Sequence, residues 1–156
     1  MSFLKGKTLL LTGGGRSVLS DGSAGSIGYG IATAYAKEGA NLVITGRNLQ
    51  KLQEAKEELE RLYGVKVLPV QADVAAGADN AATAKDVVAK AIAEFGSLDV
   101  LINCAQASAS GVTLADHTLE QFDLAVYSGL YATFHYMQAA YPYLKETKGS
   151  VIKSTP

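Results

Sequence analysis

Apolar residues along the chain fall into two alternating patterns. Short continuous runs occur at Thr8-Leu9-Leu10-Leu11-Thr12, at residues 41–45, 65–70 and 98–103, and begin again at Val151-Ile152. Such runs, bounded by glycine and polar residues, predict strands buried on both faces of a sheet. Between them apolar residues recur at helical spacing. One set is Ile27, Ile31, Ala34 and Tyr35, and a second is Leu49, Leu52, Ala55, Leu59 and Leu62. A third is Val87, Val88, Ala91, Ile92 and Phe95 within a helix over residues 79–95. The longest is Phe122, Val126, Leu130, Phe134, Met137, Tyr141 and Leu144. Gly39, Gly64 and Gly96 close the first three helices in the manner of glycine C-caps. Thr118 followed by Gln121 predicts a capping box at the start of the fourth. Strand and helix in alternation, with no linker or repeat, predict a doubly wound parallel α/β sheet in a single domain over residues 1–156.

Composition narrows the function classes. The chain has 156 residues, with 48% hydrophobic and 19% charged, which excludes a disordered chain. Its net charge of −1 provides no electrostatic footprint for nucleic acid. No apolar run approaches the ~18 residues of a membrane span, and the start lacks a signal-peptide core. Cys104 is the only cysteine, so no internal disulfide forms. Together these features predict a cytoplasmic protein without a nucleic-acid or membrane partner. Neither His117 nor His135 has a partner at metal-ligand spacing, so no metal site is expected.

The first strand runs into Thr12-Gly13-Gly14-Gly15, and Gly22, Gly25, Gly28 and Gly30 follow. A glycine-rich turn between a strand and a helix lets a dinucleotide pyrophosphate approach the backbone and the free N–H groups of the helix N-terminus. A flexible loop is the plainer reading of the glycines alone. The strand–loop–helix context favours a cofactor.

Here the chain resembles the short-chain dehydrogenase/reductase family, whose turn reads Thr-Gly-x-x-x-Gly-x-Gly. Thr12-Gly13 and Ser26-Ile27-Gly28 match its two ends, with Ser26 at the middle glycine and a long insertion between them. The stretch from Ser26 to Ala32 is also similar to the turn of enoyl-acyl-carrier-protein reductases. The loop over 13–25 either wraps the cofactor or is an insertion that the fold tolerates. The resemblance implies strand order 3-2-1-4-5 and a nicotinamide dinucleotide near Thr12, Gly13, Gly14, Ser26, Ile27 and Gly28. The second strand ends in Gly46-Arg47-Asn48 with no carboxylate, so NADP(H) is favoured over NAD(H), with Arg47 as selector. Arg16 is either a second basic contact or a solvated loop residue. Asp73 is implied at the adenine, with Val74 beside it. Asn103 and Ala105 match the family's Asn-Asn-Ala-Gly segment along the cofactor, whereas Cys104 and Gln106 depart from it. Cys104 is read as a packing residue rather than a reactive thiol.

The family's chemistry uses a serine, a tyrosine with its lysine, and a helix asparagine that holds a water. The asparagine position is Gly129, and the serine position is Pro156. The tyrosine and lysine would follow on a further helix. Tyr141 and Lys145 have the same spacing, but about 34 Å of helix separates Thr118 from Tyr141, placing the pair at the far edge of the sheet. Tyr141 is read as packing and Lys145 as a helix-end charge. No catalytic residue is therefore assigned. The expectation is a truncated, catalytically impaired oxidoreductase scaffold, cut short by a premature stop or frameshift. The alternative is a non-catalytic NADP(H)-binding module or a decayed fragment. The long helix over 118–145 is implied as a homo-oligomer face, with Tyr127, Tyr131, Phe134 and Tyr141 contributing.

Overall fold

Five short strands, β1 (Thr8–Thr12), β2 (Asn41–Gly46), β3 (Val67–Gln71), β4 (Val100–Asn103) and β5 (Ser150–Lys153), form one parallel sheet in the order β3-β2-β1-β4-β5. This computed structural model describes residues 2–75 and 77–154, so Thr155 and Pro156, where the family serine was expected, lie outside the described residues. β1 sits at the centre. Thr12 is in register with Thr45 of β2 on one side and Asn103 of β4 on the other, which brings three strand ends to one edge.

Side chains alternate across each strand, and the helices cover both faces. Leu9, Leu11, Leu42 and Ile44 pack with α1 (Ile27–Lys37) and α2 (Leu49–Tyr63). Leu10, Val43 and Leu101 pack with α3 (Asn80–Phe95) on the other face, and with the long helix at the end of the chain. Asn48 caps α2, and Gly64 and Gly96 end α2 and α3 with φ of 68° and 79°, the left-handed conformation that glycine adopts without strain. The capping box of Thr118 and Gln121 is present.

The fourth helix is not continuous. It is built as α4 (Leu119–Val126), a π-helical turn over Tyr127–Tyr131, and α5 (Ala132–Thr147). Most of the apolar stripe that predicted it also faces outward: Phe122, Leu130, Phe134, Met137 and Tyr141 are exposed, and of the predicted stripe Leu144 is buried. The buried stripe is Ser128, Ala132, Tyr136, Ala140 and Leu144, whose small members let the helix pack closely on the sheet. Tyr141 is thus not a packing residue. It lies in the half of α5 that leads to Thr147, whose hydroxyl bonds to Leu98 O, before β4 starts. Tyr141 and Lys145 therefore belong to the edge opposite the strand ends.

In α1 the buried face is Gly28, Tyr29, Ala32 and Ala36, and Ile27 is 61% exposed. Here too the larger apolar residues were the weaker guide, because glycine and alanine pack where the helix meets the turn after β1. The loop over 13–25 is an ordered excursion. Leu19 N donates to Ser23 O and Gly25 N to Ser17 O, around a bridge between Val18 and Ala24. Among the described residues no helix is long and apolar enough to cross a membrane, and no group of residues is arranged to hold a metal ion.

Candidate functional site

The main cleft, of about 880 Å³, runs along the carboxyl edge of the sheet. Gly13 and Gly15 line it after β1, and Arg47, Asn48 and Lys51 after β2. Asp73 and Val74 follow β3, and Ala105, Gln106 and Ala107 follow β4. A cleft at this place, across the central strand where the winding reverses, is where doubly wound sheets bind nucleotides.

The turn after β1 is shaped by backbone bonds and missing side chains. Gly13 N and Gly14 N both donate to Thr45 O, at 2.9 and 3.1 Å. Gly13 has φ of 86°, and a Cβ there would press on Ala105. At Gly14 a Cβ would lie 2.7 Å from Ile44 Cγ2. At Gly28 it would run into the carbonyl oxygen of Gly13 and lie 2.8 Å from its carbonyl carbon. The start of α1 thus rests directly on the turn. Ser26 caps α1 by accepting a 3.3 Å bond from Tyr29 N, and Ile27 stands exposed in its first turn.

Thr12 is buried and does not line the cleft. Its hydroxyl oxygen accepts from Cys104 N at 3.1 Å and Ala105 N at 3.0 Å. That pins the loop after β4 against the glycine turn. Asn103 is buried, and its side-chain nitrogen has no partner among the described residues. Cys104 is half-buried, and burial pushes its thiol above the ordinary range, as expected of a packing cysteine.

Arg16 does not line the cleft. Its guanidinium holds Glu58 of α2 at 2.8 Å, and Tyr29 OH donates to the other oxygen of the same carboxylate at 2.5 Å. The Tyr29 hydroxyl, followed by Arg16, keeps the Glu58 carboxyl below its usual range, and burial pushes the Tyr29 phenol up. The cluster ties the 13–25 loop, α1 and α2 together.

Among the lining residues not assigned to the site from the sequence are Lys51 and Gln106. Lys51 lies in the first turn of α2, three residues after the cap Asn48, and its place at the helix start beside the cleft was the signal for it. Gln106 appeared only as a departure from a pattern. Its carboxamide lies over Gly129 in the π-helical turn, 3.1 to 3.4 Å from where a Cβ of residue 129 would sit. Ser128, next to Gly129, accepts from Ala107 N at 2.9 Å, and Asn80 donates to Tyr127 O at 3.1 Å. The turn and the loop after β4 are therefore one bonded unit.

The residues present fit a dinucleotide. Cations and the N-terminus of α2 stand at one end of the cleft, side-chain-free backbone in the middle, and a neutral amide at the other end.

Comparison with known proteins agrees with this geometry. The family model for short chain dehydrogenases matches residues 16–155. A 12alpha-hydroxysteroid dehydrogenase from Clostridium sp. is 62% identical over 97% of this chain and 56% of its own length. Among solved structures, L-sorbose reductase from Gluconobacter frateurii, complexed with NADPH and L-sorbose, superposes with a TM-score of 0.83 at 28% identity, over 98% of this chain and 54% of that one. A short chain dehydrogenase from Burkholderia cenocepacia in complex with NADP gives 0.81 at 30% identity, over 96% and 55%. The chain spans about half the length of the relatives it matches. It belongs to the short-chain dehydrogenase family and is built on that family's scaffold for nicotinamide-dependent oxidoreductases.

Proposed function

We propose that this member of the short-chain dehydrogenase family binds NADP(H) in the cleft at the carboxyl edge of its sheet. The observation that carries the reading is the pair Arg47 and Lys51 at one wall of the cleft, with Asp73 the only carboxylate lining it among the described residues. A 2′-phosphate on the adenosine ribose would meet the planar fork of Arg47, the ammonium of Lys51 and the N-terminus of α2. Asp73 and Val74 would take the adenine. The turn at Gly13 and Gly14, with Ser26, Ile27 and Gly28 at the start of α1, would take the pyrophosphate. Asn103 and Ala105 would flank the remainder. Bound there, the nicotinamide would supply or accept a hydride. Arg16 is assigned to the Glu58 cluster and not to the cofactor.

The whole protein, in this reading, moves a hydride between NADP(H) and a carbonyl or alcohol carbon. A hydroxysteroid is the first substrate class to test, on the strength of the 62% identical relative. The described residues act as one nucleotide-binding domain, in the cytoplasm. The exposed stripe of Leu130, Phe134 and Tyr141 would serve as a homo-oligomer face.

Thermal unfolding with saturating NADPH tests the binding. At 100 times the dissociation constant a ligand specific to the folded state adds about 2.7 kcal/mol. Wild type should shift upward, and Arg47→Ala should lose most of the shift while unfolding normally without ligand. An equal shift in both proteins would remove Arg47 from the site.

A further inference from the structure

Two of the places where the chain departs from the family pattern lie against each other. That pattern has glycine at position 106 and an amide at 129, and this chain has Gln106 and Gly129. The exchange is spatial as well as chemical. A Cβ at residue 129 would be 3.1 Å from Cδ and 3.2 Å from Nε2 of Gln106, tighter than ordinary packing. Gly129 therefore provides the seat on which the Gln106 amide rests, and a methyl there would push the amide outward by a few tenths of an ångström. Both sides of this seat are anchored. Ser128 bonds to Ala107, Asn80 holds Tyr127 O, and the Thr133 hydroxyl donates to Gly129 O at 2.8 Å. π-helical turns of this kind recur at functional sites.

Gln106 lines the same cleft as Arg47 but follows β4, across β1 from β2 and β3. A dinucleotide laid across the central strand with its adenosine on Arg47 and Asp73 would bring its second half over β4. A carboxamide both donates and accepts, which suits ribose hydroxyls and the nicotinamide's own amide.

We propose that Gln106, seated on Gly129, recognises the nicotinamide riboside half of the bound dinucleotide. This rests on the cleft being the NADP(H) site. The test therefore uses two probes on the full chain: NADPH, followed by titration and by its own fluorescence, and adenosine 2′,5′-bisphosphate, which carries only the Arg47 half. Wild type should bind both. Gln106→Ala should weaken NADPH by about tenfold, the loss of roughly one good hydrogen bond. It should also reduce the fluorescence change of the bound nicotinamide, while the bisphosphate affinity stays within about twofold. Gly129→Ala should weaken NADPH in the same direction but by less, because it shifts the amide without removing it, and the double variant should be no worse than Gln106→Ala alone. Bisphosphate binding and the ligand-free unfolding midpoint report whether each variant folds. If both probes bind and neither variant alters NADPH, Gln106 is not a contact. If wild type binds neither probe, the reading of the cleft fails and the proposal falls with it. Additive effects of the two substitutions would refute the seat.

Discussion

Gly28 and Gly30 lie two residues apart in α1, and the structure predicts opposite outcomes for alanine at the two positions. At Gly28 the new methyl would collide with the carbonyl oxygen of Gly13 and lie 2.8 Å from the carbonyl carbon. Both atoms are backbone, and Gly13 N is bonded to Thr45 O, so the turn cannot yield cheaply. Carbon atoms in contact normally stay ~3.5 Å or more apart, so α1 must lift off the turn. Overpacking of this kind costs about 1–3 kcal/mol, and the rigid backbone partner places Gly28→Ala at the upper end. At Gly30 the nearest atom to a new methyl is Ala24 Cβ at 3.6 Å, an ordinary contact. Gly30→Ala should therefore stabilise by about 0.5–1 kcal/mol, the helix preference of alanine over glycine. In a chain of this size the first should lower Tm by about 5–10 °C and the second raise it by a few degrees. Urea unfolding with a common slope gives the two free energies directly. Because α1 starts at the proposed pyrophosphate site, Gly28→Ala should also weaken NADPH, and Gly30→Ala should leave it unchanged. Equal stability of Gly28→Ala and wild type would refute the contact between turn and helix.

Other predictions follow from single side chains. Thr12→Val keeps the shape but leaves two backbone N–H groups, of Cys104 and Ala105, without their acceptor. Urea unfolding should show a loss of about 1–2 kcal/mol, the lower part of the range for an unsatisfied donor, because both N–H groups are only partly buried. Tyr29→Phe removes the hydroxyl that donates to Glu58 and should cost about 1–2 kcal/mol at neutral pH. The Glu58 carboxyl is held below its usual range in the folded state. Its stabilisation is therefore complete above the unfolded value of about 4.3 and is lost as pH falls through the lowered folded value. The gap between wild type and Tyr29→Phe should close over that acid interval in pH-dependent unfolding, and a constant gap would contradict the coupling. Cys104, half-buried and with its thiol pushed up, should react with iodoacetamide at pH 7 more slowly than free cysteine, as mass spectrometry would detect.

The strands were legible because buried parallel strands leave continuous apolar runs, and Thr8 to Thr12 is such a run with every residue buried, whereas their order came only from the family resemblance. Helix ends were legible where chemistry is local, as at Thr118 with Gln121 and at Gly64 and Gly96. Helix faces were not. In α1 and in the final long helix glycine, serine and alanine, which carry little hydrophobic signal, make up much of the packed side beside Tyr29, Tyr136 and Leu144, while Ile27, Leu130 and Phe134 point outward. The π-helical turn left no trace in the periodicity. Its causes are tertiary: Asn80, Ser128 and the loop after β4 reach it from distant parts of the chain. Arg47 was legible from its place after β2, because position in this fold implies position in the cleft. Arg16 was not, because its partner Glu58 lies on α2, 42 residues away. Gln106 stood out only as an irregularity until the structure brought it against Gly129.

A cleft walled by Arg47 and Lys51 should prefer a dinucleotide bearing a 2′-phosphate. Isothermal titration of the full chain with NADPH and with NADH, in one buffer at moderate salt, measures this directly. Charge-assisted bonds from Arg47 and Lys51 to the phosphate, at about 1.4 kcal/mol or more in total, predict NADPH binding at least tenfold tighter than NADH. Equal affinities, or tighter binding of NADH, would contradict the account.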